Sequence, residues 1–252
     1  MISSLSVAIA THNEAENIKN CLDSINKLAD EIIIYDGQST DQTVANAKKY
    51  KKVKIISGPN HPLFHLNKQT AIDACTSDWI LQLDADEVVT PNLAKEIKQI
   101  ISNTKFDGFW IKRKSFFLGK FLTKGGVYPD PTLRLYRKGK GRLPCLDVHE
   151  QAVVDGPADQ LQNDLLHYAD PTFERFLFRN NRYSTLLATQ IQNPSFVDYF
   201  FLKPLVTFFS LYLRHRGYVD GFPGFIFAFY SALRFPAAYV KHWELIHAKN
   251  RH

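Results

Sequence analysis

The stretch that most limits what this chain can fold into is WILQLDADE, Trp79 to Glu87, an apolar run that ends abruptly in Asp84, Asp86 and Glu87. Trp79, Ile80, Leu81 and Leu83 predict a short strand buried on both faces, because a continuous apolar segment bounded by polar residues suits the middle of a parallel sheet. The acids then stand at its carboxyl end, the edge at which open α/β sheets bind ligands. An Asp-Ala-Asp at that edge predicts a site for a divalent cation held by hard oxygen ligands. Acids ending a strand can also do no more than cap the next helix or solvate a turn.

The segments around it follow one rhythm. Leu5 to Ala10 reads as a strand, and Asn13 with Glu16 as the start of a helix whose apolar face is Ile18, Leu22, Ile25 and Leu28. Glu31 to Tyr35 is a second strand, closed by the polar turn Asp36 to Asp41, in which Ser39 or Thr40 is the expected cap of a helix reaching Tyr50. Val53 to Ile56 is a third strand and Leu66 to Cys75 a helix. Thr90-Pro91 supplies an N-cap and an N1 proline for a helix through about Ile101. This βαβα alternation predicts a parallel sheet with helices on both faces. Neither the glycine fingerprint of dinucleotide sites nor a P-loop occurs. If the sheet is doubly wound, Thr11 to Glu14, Asp36, Asp84 and Asp86 converge on one crevice.

A net charge of +6 over 252 residues points to anionic partners. The charge concentrates between Lys112 and Arg142, where ten basic residues face one acid, Asp130. Such a run is a solvated loop face or, beside a site, an attractor of phosphorylated substrate. No nucleic-acid-binding module accompanies it, so nucleic acid is not expected as a partner. Cys21, Cys75 and Cys145 lie far apart and read as reduced, buried thiols of a cytoplasmic protein. The N-terminal MISSLSVAIATHNE has no basic region leading into a long apolar one, which predicts no cleaved leader.

Beyond His167-Tyr168 the composition changes. Asp170-Pro171 is expected to open a helix through about Gln192, with Arg175, Arg179 and Arg182 on a basic stripe. Sixteen of the 33 aromatic residues fall between Phe196 and Trp243. The longest apolar or small run there, Phe222 to Leu233, is shorter than the roughly 20 residues of a membrane span. Lys203-Pro204, Arg214 to Arg216, Arg234 and Pro236 are expected to interrupt the region. Aromatics among cations suit helices lying in a membrane interface, and a helical subdomain packed on the sheet or on a second subunit is the alternative. The expected division is a catalytic domain over 1–168 and a C-terminal helical extension over 169–252.

Three motifs in order, SVAIATHNEAENI, IIIYDGQSTDQT and WILQLDADE, resemble those of the family 2 glycosyltransferases. Lys124 to Asp130, the run LRLYRKGKGR and Val148-His149-Glu150 are similar to the branch that adds sugars to the lipopolysaccharide core, of the β-glucosyltransferase type acting on heptose. The resemblance implies a GT-A fold, a nucleotide-sugar donor such as a UDP-hexose, Mg²⁺ or Mn²⁺, and inversion at the anomeric carbon. It also implies an anionic glycolipid acceptor, lipid A with its inner core, at the inner face of the bacterial inner membrane. Carried over residue by residue, Thr11, Glu14 and Asp36 would hold the nucleoside and Lys68 would approach the donor phosphates. Asp84 would serve ribose and metal, and Asp86 would ligate the metal directly. Glu150 matches the catalytic base, although this chain has His-Glu where many relatives have Glu-Asp. His149 would ligate the metal or orient Glu150. Asp130 and Arg134 would meet the acceptor, with Asp130 the reserve base. The rival readings are a nucleotidyltransferase, which would need a glycine-rich basic loop where Thr11 to Glu14 stands, and a non-catalytic peripheral membrane module, which leaves the strand-end acids unexplained.

Overall fold

The computed structural model describes residues 3–146 and 150–249. Four parallel strands, β1 (Leu5–Thr11), β2 (Glu31–Asp36), β3 (Val53–Ser57) and β4 (Trp79–Asp84), lie in the order β3-β2-β1-β4. Alternate residues of each strand feed two cores, as the two-residue period of a strand requires. Leu5, Val7 and Ile9, Ile32 and Ile34, and Trp79, Leu81 and Leu83 face one layer of helices, α1 (Ile18–Ile25), α2 (Thr43–Ala47) and α4 (Pro91–Ser102). Ala8, Ile33, Tyr35 and Ile80 face the other, where α3 (Phe64–Asp73) contributes Ala71 and Ile72. Each such buried Leu or Ile contributes about 1.5–3 kcal/mol relative to exposure.

The parallel pattern stops at β4. Among the described residues the sheet has nine strands, and the rest of its order is β8-β6-β11-β5, with β7 (Lys120–Phe121) on β6. These are β5 (Glu87–Val89), β6 (Gly108–Phe117), β8 (Asp130–Arg137) and β11 (Ala158–Asp170). β8 pairs antiparallel with β4, and β11 antiparallel with β5. β9 (Gly141–Arg142) and β10 (Val153–Val154) form a separate two-stranded ribbon. The sheet is therefore mixed. The expected alternation ends once the chain has made its third crossover.

Helix starts differ from the expected ones. Asn13 does not cap α1; it sits in the left-handed region (φ 55°) and its side-chain carbonyl instead accepts the Thr40 amide at 2.8 Å. The cap position falls on Asn17, whose side chain makes no cap bond. α2 begins at Thr43, with Asp41 accepting the Thr43 amide at 2.9 Å, so neither Ser39 nor Thr40 is the cap. α4 starts as its sequence dictates: Thr90 Oγ1 accepts from the Leu93 amide and Pro91 needs no acceptor for a missing N–H. Cys21 and Cys75 are buried, while Cys145 is only half-buried.

The chain divides into two compact units, 1–113 with 130–168, and 114–129 with 169–252. The second is thus discontinuous. A single cut after Tyr168, as the sequence leads one to expect, leaves out the excursion 114–129, whose Phe117 and Leu122 pack with Phe176, Ile226 and Phe227. α5 (Phe173–Gln190) begins later than Asp170-Pro171 because Thr172 is the cap, and Asp170 ends β11, ion-paired with Arg179. A helical run follows in which α6 (Lys203–Phe209) is flanked by wide π turns, Asp198–Leu202 and Ser210–Arg214. Pro204, without an amide, stands at the junction with the first of them. α7 (Phe222–Lys249) runs unbroken through Pro236, where one lost hydrogen bond is offset by packing of Phe235, Ala238 and Tyr239 on Ala188 and Tyr199. Among the described residues no helix is long and apolar enough to cross a membrane.

Candidate active site

The carboxyl ends of the parallel strands adjoin in register: Thr11 is opposite Asp36, and Ala10 opposite both Tyr35 and Asp84. Both Thr11 (5% exposed) and Asp36 (3%) are buried. Asp36 Oδ2 accepts the Ser39 amide at 3.1 Å. Its Oδ1, and Thr11 Oγ1 beside it, have no hydrogen-bond partner among the described residues. A buried polar atom left unpaired costs about 1–3 kcal/mol, and a polar ligand seated at this strand end would relieve both. The turns that follow lock together: Ser39 Oγ accepts the Asn13 amide at 2.9 Å and His12 Nδ1 lies 2.7 Å from the Gly37 carbonyl oxygen. Glu14 lies on this rim, its carboxylate accepting from Asn17 Nδ2 at 2.7 Å and its amide bonded to Thr43 Oγ1.

At the end of β4 the situation is the reverse. Asp84 is ion-paired through Oδ1 with Lys68 and through Oδ2 with Arg134 at 2.7 Å. Arg134 reaches it from β8, between Leu133 and Leu135, and also bonds Gln82 and Glu87 Oε1 (2.8 Å). Glu87 is fully buried; its Oε2 accepts the Asp84 amide at 2.8 Å, and Arg113 lies 3.6 Å from Oε1. Arg113 in turn holds Asp130 at 2.6 Å. Three acids thus face three cations. Burial alone would raise the Asp84 carboxyl, but the Arg134 and Lys68 charges outweigh it and hold Asp84 well below the usual carboxylate range. Burial likewise opposes the Arg134 charge, and Asp84 and Glu87 keep it firmly protonated.

Asp86 follows on the turn, and there the antiparallel half of the sheet contributes. β11 pairs with β5 so that His167 is opposite Glu87, and the Tyr168 amide donates to the Asp86 carbonyl at 2.9 Å. This brings His167 Nε2 to 3.5 Å from Asp86 Oδ2. A carboxylate and an imidazole form a mixed donor set that Mn²⁺ accepts, whereas Mg²⁺ prefers oxygen ligands throughout. Among the described residues no three His, Cys, Asp or Glu side chains cluster tightly enough to enclose an ion, so oxygens of a bound diphosphate would have to complete the shell. His149 lies outside the described residues. Glu150 accepts from the amides of Cys145 and Leu146, the latter at 3.0 Å, and its carboxylate is 3.8 Å from His65 Nδ1.

The sequence-expected residues therefore fall into groups: Thr11 with Asp36, Lys68 with Asp84 and Arg134, Asp130 on Arg113, and Glu150 beside His65. Sequence reasoning missed Gln82, Arg113, His65 and His167, and it noted Glu87 without giving it a place in the site. His167 had a visible signal, a histidine inside the largely apolar run Leu165 to Ala169, but its partner is 81 residues away.

A mixed sheet whose parallel half ends in the buried Thr11–Asp36 pair and an Asp-Ala-Asp turn, with helices on both faces, is a GT-A-like fold. Residues 6–158 match Glycosyl transferase family 2, and the chain belongs to that family. It is 28% identical over 248 residues to the lipopolysaccharide core biosynthesis glycosyltransferase LpsC of Rhizobium meliloti (strain 1021), covering 91% of each. It is also 28% identical to an uncharacterized glycosyltransferase of Rickettsia bellii (strain RML369-C), covering 91% of this chain and 84% of that one. Among solved structures, the fold is similar to the mannosyltransferase PcManGT from Pyrobaculum calidifontis in complex with GDP-Man and Mn²⁺ (TM-score 0.55, 13% identity, 96% and 88% of the chains covered). It is similar as well to S. aureus TarS 1-349 in complex with UDP (TM-score 0.53, 15% identity, 97% and 92% covered).

Proposed function

We propose that the chain is an inverting, metal-dependent hexosyltransferase. It moves a sugar from a UDP-hexose, with UDP-glucose the first candidate, to a lipopolysaccharide-core or related anionic glycolipid at the inner face of the bacterial inner membrane. The observation that carries the donor side is the pair of unpartnered buried atoms, Thr11 Oγ1 and Asp36 Oδ1, in register one strand from Asp84. A carboxylate oxygen there accepts from a base N–H, and the hydroxyl beside it can donate or accept. The acceptor class follows from the likeness to LpsC and from the basic run between Lys112 and Arg142.

Each residue's task follows from its surroundings. Asp36, Thr11 and Glu14 orient the nucleoside. Lys68, now on Asp84, is a cation within reach of a donor phosphate bound at that edge. Asp86 and His167 would hold the divalent ion, which when bound neutralises charge on the departing diphosphate. Asp84, with both oxygens on cations, acts beside the ion by holding Lys68 and Arg134 in place. Glu150 takes the proton from the acceptor hydroxyl as that oxygen attacks the anomeric carbon, and the bond to the diphosphate breaks on the opposite face. His65 is the neighbour that orients it.

The test is isothermal titration with UDP and other nucleoside diphosphates, with and without Mn²⁺, on the wild type, Asp86→Ala and His167→Ala. Mn²⁺-dependent UDP binding that both variants lose is the expected result. Absence of nucleotide binding under every metal condition would overturn the reading.

A further inference from the structure

The second unit exposes an apolar surface that its own packing does not require. Between residues 197 and 213, Val197, Phe201, Leu205, Phe209 and Leu213 recur every fourth position and all are half or more exposed. Four-residue spacing places them on one helical face, so this is a stripe and not scattered exposure. The stripe runs into a sharp corner, Arg214 to Gly221, where Tyr218 and Val219 are exposed, and re-emerges on α7 as Phe222 (70% exposed), Phe225 and Phe229. Basic residues gather at the corner: Arg214 and Arg216 are exposed cations, with His215 exposed between them. Its one acid, Asp220, is buried and already neutralised.

Asp220 also links the corner to a loop nearly a hundred residues earlier in the chain. Its carboxylate accepts the amides of Thr123 and Lys124, each at 2.9 Å, and the Thr123 hydroxyl at 2.8 Å, with Lys120 Nζ 3.6 Å away. The Gly125 amide donates to the His215 carbonyl at 2.9 Å. The fit is close: a Cβ on Gly126 would meet Leu211 Cδ2 at 3.3 Å, and one on Gly224 would collide with the Gly217 carbonyl oxygen at 1.9 Å. The Lys124-Gly125-Gly126 loop is therefore fastened to the corner by charge-assisted bonds and backbone contact.

We propose that the stripe and the corner dock on an anionic lipid surface, with the apolar side chains among the acyl-chain boundary and Arg214, His215, Arg216 and Lys124 at headgroup level. Asp220 makes the glycine loop part of the docked body. The proposal deepens the glycolipid reading above and rests on it for its purpose. A lipid surface is the occupant the chemistry favours: the rim of the apolar stripe carries arginines, and among the described residues no helix is both long and apolar enough to cross, which together describe an interfacial element.

The experiment is flotation of the full chain with phosphatidylcholine vesicles and with phosphatidylcholine vesicles carrying phosphatidylglycerol as the anionic lipid. Light scattering of the free protein and hydrogen exchange at residues 123–126 accompany it. Binding at least tenfold tighter to the anionic vesicles, lost in Phe201→Ser/Phe209→Ser/Phe222→Ser, with slower exchange at 123–126 on vesicles that Asp220→Asn abolishes, is the expected result. Val219→Ser/Phe222→Ser serves if the triple variant fails to fold. Absence of flotation, flotation unaltered in the variants, or a stable homodimer that binds no vesicles would overturn the proposal. UDP titration of the same variants separates the two readings: retained UDP binding with lost flotation bears on docking alone, whereas absent UDP binding in the wild type bears on the transferase.

Discussion

Strand β2 carries a buried acid at each end, and the two are treated oppositely. Glu31, at the amino end, has every oxygen committed: Oε1 accepts Ser6 Oγ (2.6 Å), the Thr76 amide (2.7 Å) and Thr76 Oγ1 (2.9 Å), and Oε2 pairs with Lys54 (2.9 Å). Asp36, at the carboxyl end, keeps one oxygen buried and without a partner. The amino rim of the sheet uses its acid to hold the fold, and the carboxyl rim withholds one from the fold. The lesson is that burial of a carboxylate says little until its oxygens are accounted for one by one.

Arg134 is the strongest challenge to that contrast, since it stands at the carboxyl rim yet is fully engaged. Arg134→Met removes the cation that Asp84 and the fully buried Glu87 share, leaving Lys68 on Asp84 and Arg113 3.6 Å from Glu87, and is expected to cost about 3–5 kcal/mol in urea unfolding. A loss below about 1 kcal/mol would mean that the rim does not depend on the pair. Glu31→Gln comes next. Burial would raise this carboxyl, but the bonds from Ser6, Lys54 and Thr76 prevail and bring it from 4.5 down to about 2. A depressed carboxyl stabilises the fold above its unfolded value, and the benefit fades as pH falls from about 4.5 to about 2. The expected loss in the variant is on the order of 2 kcal/mol at pH 7 and disappears near pH 2, read from paired melts across that range.

Asp36→Asn should invert the pattern. Unfolding free energy is expected to change by less than about 1 kcal/mol, while UDP affinity falls roughly tenfold or more, the worth of one charge-assisted bond. Equal losses in both would erase the distinction between the rims. Thr11→Val is the smallest and sharpest case: removing an unpartnered hydroxyl is expected to leave stability unchanged or raise it by a few tenths of a kcal/mol, and to weaken UDP binding about fivefold in the same titration.

What could be read in advance follows from sequence distance. The parallel strands, the Thr90-Pro91 helix start and the strand-end positions of Thr11, Asp36, Asp84 and Asp86 rest on local periodicity and turn chemistry. The partners do not. Arg134 meets Glu87 across 47 residues, and His167 meets Asp86 because of the β5–β11 register, which no local pattern announces. The same holds for Asp220 and Thr123, 97 residues apart. Helix starts were displaced for a related reason: Asn13 and Asp41 spend their side chains on each other's turns, so the caps expected from composition fall elsewhere.

The excursion 114–129 has one more consequence, for how such a chain can be shortened or recombined. Because its Phe117 and Leu122 belong to the core that Phe176 and Phe227 complete, a gene ended after codon 168 would encode an orphaned greasy loop and not a trimmed enzyme. The C-terminal helices are sewn into the middle of the reading frame. They cannot be exchanged between relatives as a tail, only together with residues 114–129, the last four of β6 and the twelve between β6 and β8.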